Sequence, residues 1–63
     1  MQRKVTPLKL AIAERGLVQA DVAHDAGISE SRLSRIVRGR VQPHDYELKH
    51  LSRVLNVRKE ELS

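Results

Sequence analysis

The chain has 63 residues, with 12 Lys or Arg against 8 Asp or Glu, which gives a formal charge of +4. This length disfavours both a second domain and an enzyme with a deep enclosed cleft. The absence of cysteine excludes disulfides and Cys-ligated zinc, and no two of the three histidines are four residues apart, the spacing that would place both on one helix face. We therefore expect no catalytic residues, no metal site and no cofactor.

The apolar residues are almost entirely aliphatic, and Tyr46 is the only aromatic residue. A β-rich fold normally draws more heavily on aromatic side chains, so the composition favours helices. The apolar runs are too short for a membrane span or a signal peptide. The sequence predicts one all-α domain over residues 1–63, located in the cytoplasm.

The first predicted helix covers residues 7–15. Thr6 is placed to cap it, and Pro7 has the backbone angle of a first helical position. Leu8, Ala11 and Ile12 follow with helical spacing, and Gly16 ends the helix.

The second and third predicted helices cover residues 18–26 and 30–38, and each is followed by a glycine. Val18 stands where a Ser or Thr cap would be expected, whereas Ser29 is a good cap for the third helix. The apolar stripe of the second helix consists of Val22, Ala23 and Ala26. The apolar stripe of the third helix consists of Leu33, Ile36 and Val37.

A fourth helix is predicted over residues 45–55, with Asp45 as its cap and leucines on its inner face. A short fifth helix, residues 59–62, would fold Val57 and Leu62 back onto the core. The pattern is that of five short helices around one core.

The segment from Arg32 to Arg40 contains four arginines and no acid. In a helix its apolar residues share one face. The residues on the opposite face are Ser31, Ser34, Arg35 and Arg38, with Arg32 at the flank. Small side chains let a helix approach the DNA major groove, and arginine donates two hydrogen bonds to guanine. A solvated charged face is the other interpretation of this segment taken alone.

Three short segments together favour DNA binding. They read Gln-Ala-Asp-Val-Ala at 19–23, Ala-Gly-Ile-Ser at 26–29 and Leu-Ser-Arg-Ile at 33–36, with Gly39 following. They resemble the helix-turn-helix of the phage-repressor/Cro (XRE-type) family, and residues 6–62 can be aligned with the five-helix, lambda-repressor-like pattern of that family.

The resemblance implies a role for individual residues. Those matching positions that face bases are Glu30, Ser31, Ser34 and Arg35, and those matching positions that contact the DNA backbone are Gln19, Ser29, Arg38 and Arg40. Glu30 has two interpretations: it accepts from a cytosine amino group, or it only favours the start of the third helix. Many family members pair an Arg in the first helix with a Glu late in the third, whereas this chain has Ile12 and Val37 there.

Four further polar residues receive structural interpretations. We expect His24 and His50 to lie on the surface, His44 to belong to a loop, and Tyr46 to cover the edge of the core rather than donate to a phosphate.

The resemblance implies a sequence-specific double-stranded DNA-binding transcriptional regulator, more often a repressor than an activator, of a prokaryote or phage and associated with the nucleoid. A homodimer through the fourth and fifth helices, or one formed only on DNA, stays open. The alternative function is a protein-interaction module or antitoxin-like adaptor with the same fold.

Overall fold

The computed structural model describes residues 6–62, and these form four α-helices and no strand. The helices are α1 (Pro7–Glu14), α2 (Gln19–Ala26), α3 (Glu30–Val37) and α4 (Asp45–Leu55), followed by a 3-10 turn, Lys59–Leu62. The α-helices begin and end within one residue of their predicted bounds. None of them is long and apolar enough to cross a membrane.

The prediction of a fifth helix is corrected to a single 3-10 turn. Its backbone bond joins the Glu61 N–H to the Arg58 carbonyl, 3.0 Å away and three residues back in the chain. A segment of four residues is too short to form the backbone hydrogen bonds between residues four apart that define an α-helix. The turn nevertheless buries Leu62, as expected.

Thr6 joins the start of α1 to the end of α3. Its hydroxyl oxygen accepts from the Lys9 N–H at 3.2 Å, which is the predicted cap. The same hydroxyl donates to the Val37 carbonyl at 2.6 Å. One side chain therefore satisfies a backbone group at the end of each helix.

The cap of α4 differs from the prediction. His44 occupies the N-cap position, and Asp45 is the first helical residue. The Glu47 carboxylate reaches back and accepts from the His44 N–H at 2.7 Å. The expected role of Asp45 is thus wrong by one position, because the carboxylate three residues after the cap satisfies the free backbone donor.

Asp45 instead holds the C-terminal turn. Lys59 Nζ donates to Asp45 Oδ1 at 2.8 Å, which lowers the pKa of the Asp45 carboxyl. The Arg15 side chain donates from Nε to the Leu55 carbonyl, and so joins the end of α1 to the end of α4. These two contacts join α4 to the C-terminal turn and to α1 at the surface of the core.

The core is aliphatic and draws on every element. Its largest fully buried side chains are Val22, Leu33, Leu51 and Leu55. Ile12 and Val37 are also buried and border one surface pocket, in agreement with an apolar pair at these positions. This core holds α3 with its other face exposed to solvent.

Candidate nucleic-acid interface

The turn between α2 and α3 sets the position of the candidate interface. Gly27 has a left-handed backbone, φ 72°, a conformation that disfavours side chains with a Cβ atom. The Ile28 N–H then donates to the Ala23 carbonyl at 2.9 Å, and Ala23 is buried. The Ser29 hydroxyl accepts from the Arg32 N–H at 3.1 Å and so starts α3. Together these contacts form a helix-turn-helix from α2 and α3.

The predicted base-facing residues lie along the outer side of α3. Glu30, Ser31 and Arg35 are exposed, and Ser34 is half-buried. Arg35 Nη2 donates to Ser31 Oγ at 3.1 Å, one helical turn away. This bond brings the guanidinium and the hydroxyl together at the centre of the exposed face.

The four predicted backbone-contacting residues lie at the ends of these helices. Ser29 and Arg38 flank α3 as its N-cap and C-cap, and Arg40 follows Gly39; all three are exposed. Gln19 is half-buried at the first position of α2 and borders the same pocket as Val37, the last residue of α3. The first turn of α2 therefore lies near the Arg38 end of α3.

The arginines in this region are electrostatically unequal. Within residues 6–62, Arg35, Arg38 and Arg40 form no ion pair with an acid. Arg32 is instead fixed to Glu47: Nε donates to Oε2 at 2.6 Å and Nη2 donates to Oε1 at 2.9 Å. Three of the four arginines thus remain available to an anionic partner.

The ion pair strongly favours the charged form of both partners. Hydrogen bonding to Arg32 lowers the pKa of Glu47 to about 2, against the opposing effect of burial. The same hydrogen bond raises the pKa of Arg32. Glu47 therefore carries a full negative charge behind the basic surface at neutral pH.

Glu47 was not among the predicted site residues, although the sequence carries two signals for it. Glu47 stands three residues after His44, the spacing of a carboxylate that caps the start of a helix. It is also four residues before Leu51, which puts it on the inner stripe of α4. An acid on an inner stripe is stable only with a cationic partner, because burial of an unpaired carboxylate is unfavourable. Arg32 at the flank of α3 is this partner.

Tyr46 does not cover the edge of the core, and this prediction is wrong. Its side chain is 58% exposed and stacks on the His44 ring, with 5.5 Å between centroids. The His50 ring meets its edge at 6.0 Å. His50 Nδ1 also lies 3.1 Å from the Ala26 carbonyl, so His50, although exposed, joins α4 to the end of α2.

The chemistry available here is anion binding by guanidinium, hydroxyl and amide groups. Among the described residues, no three His, Asp or Glu side chains are grouped as metal ligands. The neighbouring Ser31 and Arg35 present hydrogen-bond donors that fit base edges, and Arg38 and Arg40 present charge that fits phosphates.

Comparison with known proteins gives one family match and two similar structures. The family model described as helix-turn-helix matches residues 8–62. The restriction-modification controller protein C.AhdI from Aeromonas hydrophila has a TM-score of 0.84 and 23% identity, over 90% of this chain and 86% of that chain. The DNA-binding domain of the P22 C2 repressor has a TM-score of 0.84 and 20% identity, over 98% of this chain and 84% of that chain. No curated protein sequence matches the chain. At these identities, the two structures establish similarity of fold.

Proposed function

The chain belongs to the helix-turn-helix family, and on this premise we propose that it is a sequence-specific, double-stranded DNA-binding transcription regulator. In this proposal α3 lies in the major groove. The exposed side of α3 reads base edges, and the residues at its ends contact the sugar-phosphate backbone.

The arrangement of Ser31 and Arg35 carries this proposal. The Arg35 guanidinium lies over Ser31 on the exposed side of a helix whose inner side is packed in the core. Arginine recognises guanine by donating to O6 and N7, and the small serine lets the helix axis come close to the base pairs. Glu30 and Ser34 complete the proposed base-facing set, with Glu30 accepting from a cytosine amino group.

The proposed backbone contacts surround this centre. Arg38 and Arg40 supply charge at the C-terminal end of α3, Ser29 supplies a hydroxyl at its other end, and Gln19 supplies an amide from α2. Contacts of this kind fix the register of the protein on the duplex but carry no sequence information directly. Affinity should therefore fall steeply as salt concentration rises.

We propose that the chain acts as a repressor in the cytoplasm, bound to the nucleoid. A homodimer through α4 and the C-terminal turn, or one that assembles only on DNA, would place two copies of α3 on successive turns of one DNA face. Half-site centres would then be about 34 Å apart.

Selection of bound duplexes from a random pool, at two salt concentrations, tests the proposed function. We expect enrichment of a defined sequence, with weaker overall retention at the higher salt concentration. A symmetrical motif repeated at one helical turn would support the dimer. Retention without any enriched sequence would contradict specific recognition.

A protein-interaction module is the second candidate, because three exposed apolar side chains occur at α1 and the start of α2. These are Leu10, Leu17 and Val18, which are 50%, 41% and 60% exposed. The same selection distinguishes the two candidates. A protein-interaction module would show no salt-dependent retention of DNA and would form a stable complex with another protein.

A further inference from the structure

Glu47 is the one charged side chain that is buried among the described residues. Its carboxylate accepts three hydrogen bonds, two from Arg32 on α3 and one from the His44 N–H at the start of α4. Burial of a carboxylate is unfavourable unless its oxygens are paired, and these three donors satisfy both oxygens. Glu47 thus joins two helices at a single point.

The ion pair of Arg32 with Glu47 also contacts the connector, residues 38–44, which joins α3 to α4. Arg32 Nη2, which also donates to Glu47, lies 3.5 Å from the Gln42 carbonyl, a long contact near the α4 end of the connector. At the other end of the connector, the Arg40 N–H donates to the Arg35 carbonyl at 2.9 Å. The segment that carries Arg40 is therefore fixed to α3 on both sides.

We propose that Glu47 is a positioning residue that strengthens DNA binding, although its own charge repels phosphates. It does so by fixing Arg32 and the connector so that Arg40 is already in place beside the exposed arginines of α3. The inference rests on the proposed function. It assigns Arg32 to this internal contact rather than to the DNA backbone.

Replacing Glu47 has two opposing effects on DNA binding. Removing a negative charge from a DNA-binding protein should increase its attraction for phosphates, if charge alone matters. If the connector is released, it must be ordered when DNA binds, and the entropy lost in this ordering lowers the affinity. A single charge set behind the DNA-facing surface is screened by salt within about 10 Å, so its removal gains little attraction, and we expect the second effect to dominate.

Three variants and a matched control test the proposal: Glu47→Gln, Arg32→Gln, the double variant and Glu14→Gln. Glu14 is exposed on α1, and its replacement changes the net charge by the same amount as Glu47→Gln. The measurement is the dissociation constant for the duplex selected from the random pool, at several salt concentrations and at a temperature where each variant is folded.

We expect Glu47→Gln to weaken binding by roughly three- to tenfold, because side chains and backbone must be ordered again on binding. Arg32→Gln should weaken it to a similar extent, and the double variant should lose no more than either single one, since both changes release the same contact. Glu14→Gln should bind as tightly as the unaltered chain or slightly more tightly.

If Glu47→Gln binds as tightly as Glu14→Gln, the proposal is overturned and Glu47 serves the fold alone. It is also overturned if only Arg32→Gln weakens binding, because Arg32 would then contact phosphates itself. If the unaltered chain enriches no sequence from the pool, the proposed function fails first. This result is distinct from a chain that binds specifically but is insensitive to Glu47.

A second variant keeps the test decisive if Glu47→Gln fails to fold. Arg32→Met combined with Glu47→Leu removes both charges together and leaves neither unpaired. We expect this variant to fold and still bind more weakly, with faster amide hydrogen exchange at Arg40 and His44, two connector amides that are hydrogen-bonded, in the absence of DNA. Unchanged affinity would overturn the proposal, whether or not the exchange becomes faster.

Discussion

Each of the four arginines between residues 32 and 40 has its own electrostatic environment. Arg32 is neutralised by Glu47, Arg35 lies over a serine hydroxyl, and Arg38 and Arg40 form no ion pair within residues 6–62. An ion pair already formed within the protein has little free energy left to gain from a phosphate, whereas an unpaired guanidinium displaces counterions from DNA. The arginines therefore make different predictions when each is removed.

Removing Arg40 should weaken binding to all sequences by a similar factor. If Arg40 contacts one phosphate, Arg40→Ala should reduce the slope of log affinity against log salt by about one. Titration of the selected duplex and of an unrelated duplex measures this slope. Arg53→Ala, which removes an exposed arginine from α4, is the matched control and should change the slope less. An unchanged slope in Arg40→Ala would count against the phosphate contact.

Replacing Ile12 with arginine should destabilise the fold by about 3–5 kcal/mol, since a single charge would be buried without a partner. Ile12 is 7% exposed and borders the same pocket as Val37. Thermal or urea unfolding measures the loss. Adding Val37→Glu should recover part of it by restoring an opposite charge. Equal stability of Ile12→Arg and the unaltered chain would show that position 12 tolerates a charge.

At the scale of elements, the contact between α3 and α4 depends on the ionisation of Glu47. Folding lowers the pKa of its carboxyl from 4.5 to about 2. The resulting stability is present above pH 4.5 and is lost as pH falls toward 2, because the unfolded chain then binds a proton that the folded chain does not. A shift of this size corresponds to about 3 kcal/mol.

In the variant Glu47→Gln, the free energy of unfolding should therefore lack the contribution that ionised Glu47 makes and that is lost between pH 5 and pH 2. Urea unfolding followed at a series of pH values measures it for the variant and for the unaltered chain. The free energy of unfolding should fall less steeply in the variant across this window. Parallel curves would show that the Arg32 contact does not stabilise the ionised carboxylate.

The helix bounds were predictable because local side chains determine them. Thr6 and Ser29 cap their helices through their own hydroxyls, and Gly27 takes up the backbone angle that ends α2. The start of α4 agrees with the prediction, but its N-cap is His44 rather than Asp45, because the His44 N–H is satisfied by Glu47 inside the helix. The last segment became a 3-10 turn because it has only four residues and depends on packing of Leu62 for its place.

At the scale of the whole molecule, one stretch between Glu30 and Asp45 carries four arginines and no acid. Within residues 6–62, Arg35, Arg38 and Arg40 at the C-terminal end of α3 form no ion pair with an acid, whereas Lys49 and Lys59 each pair with Asp45. The sequence predicts the cluster from the spacing of its arginines. It does not separate Arg32 from the others, because the partner that does so is 15 residues away on another helix.

The central claim is that α3 reads base pairs through its exposed face, and Arg35→Ala tests it most directly. The affinity of the unaltered chain and of the variant should be measured for the selected duplex and for every single-base-pair substitution of it. We expect the variant to lose discrimination at one base-pair position, by about 1–3 kcal/mol, and to keep it elsewhere. An equal loss of affinity on every sequence would contradict base recognition by Arg35.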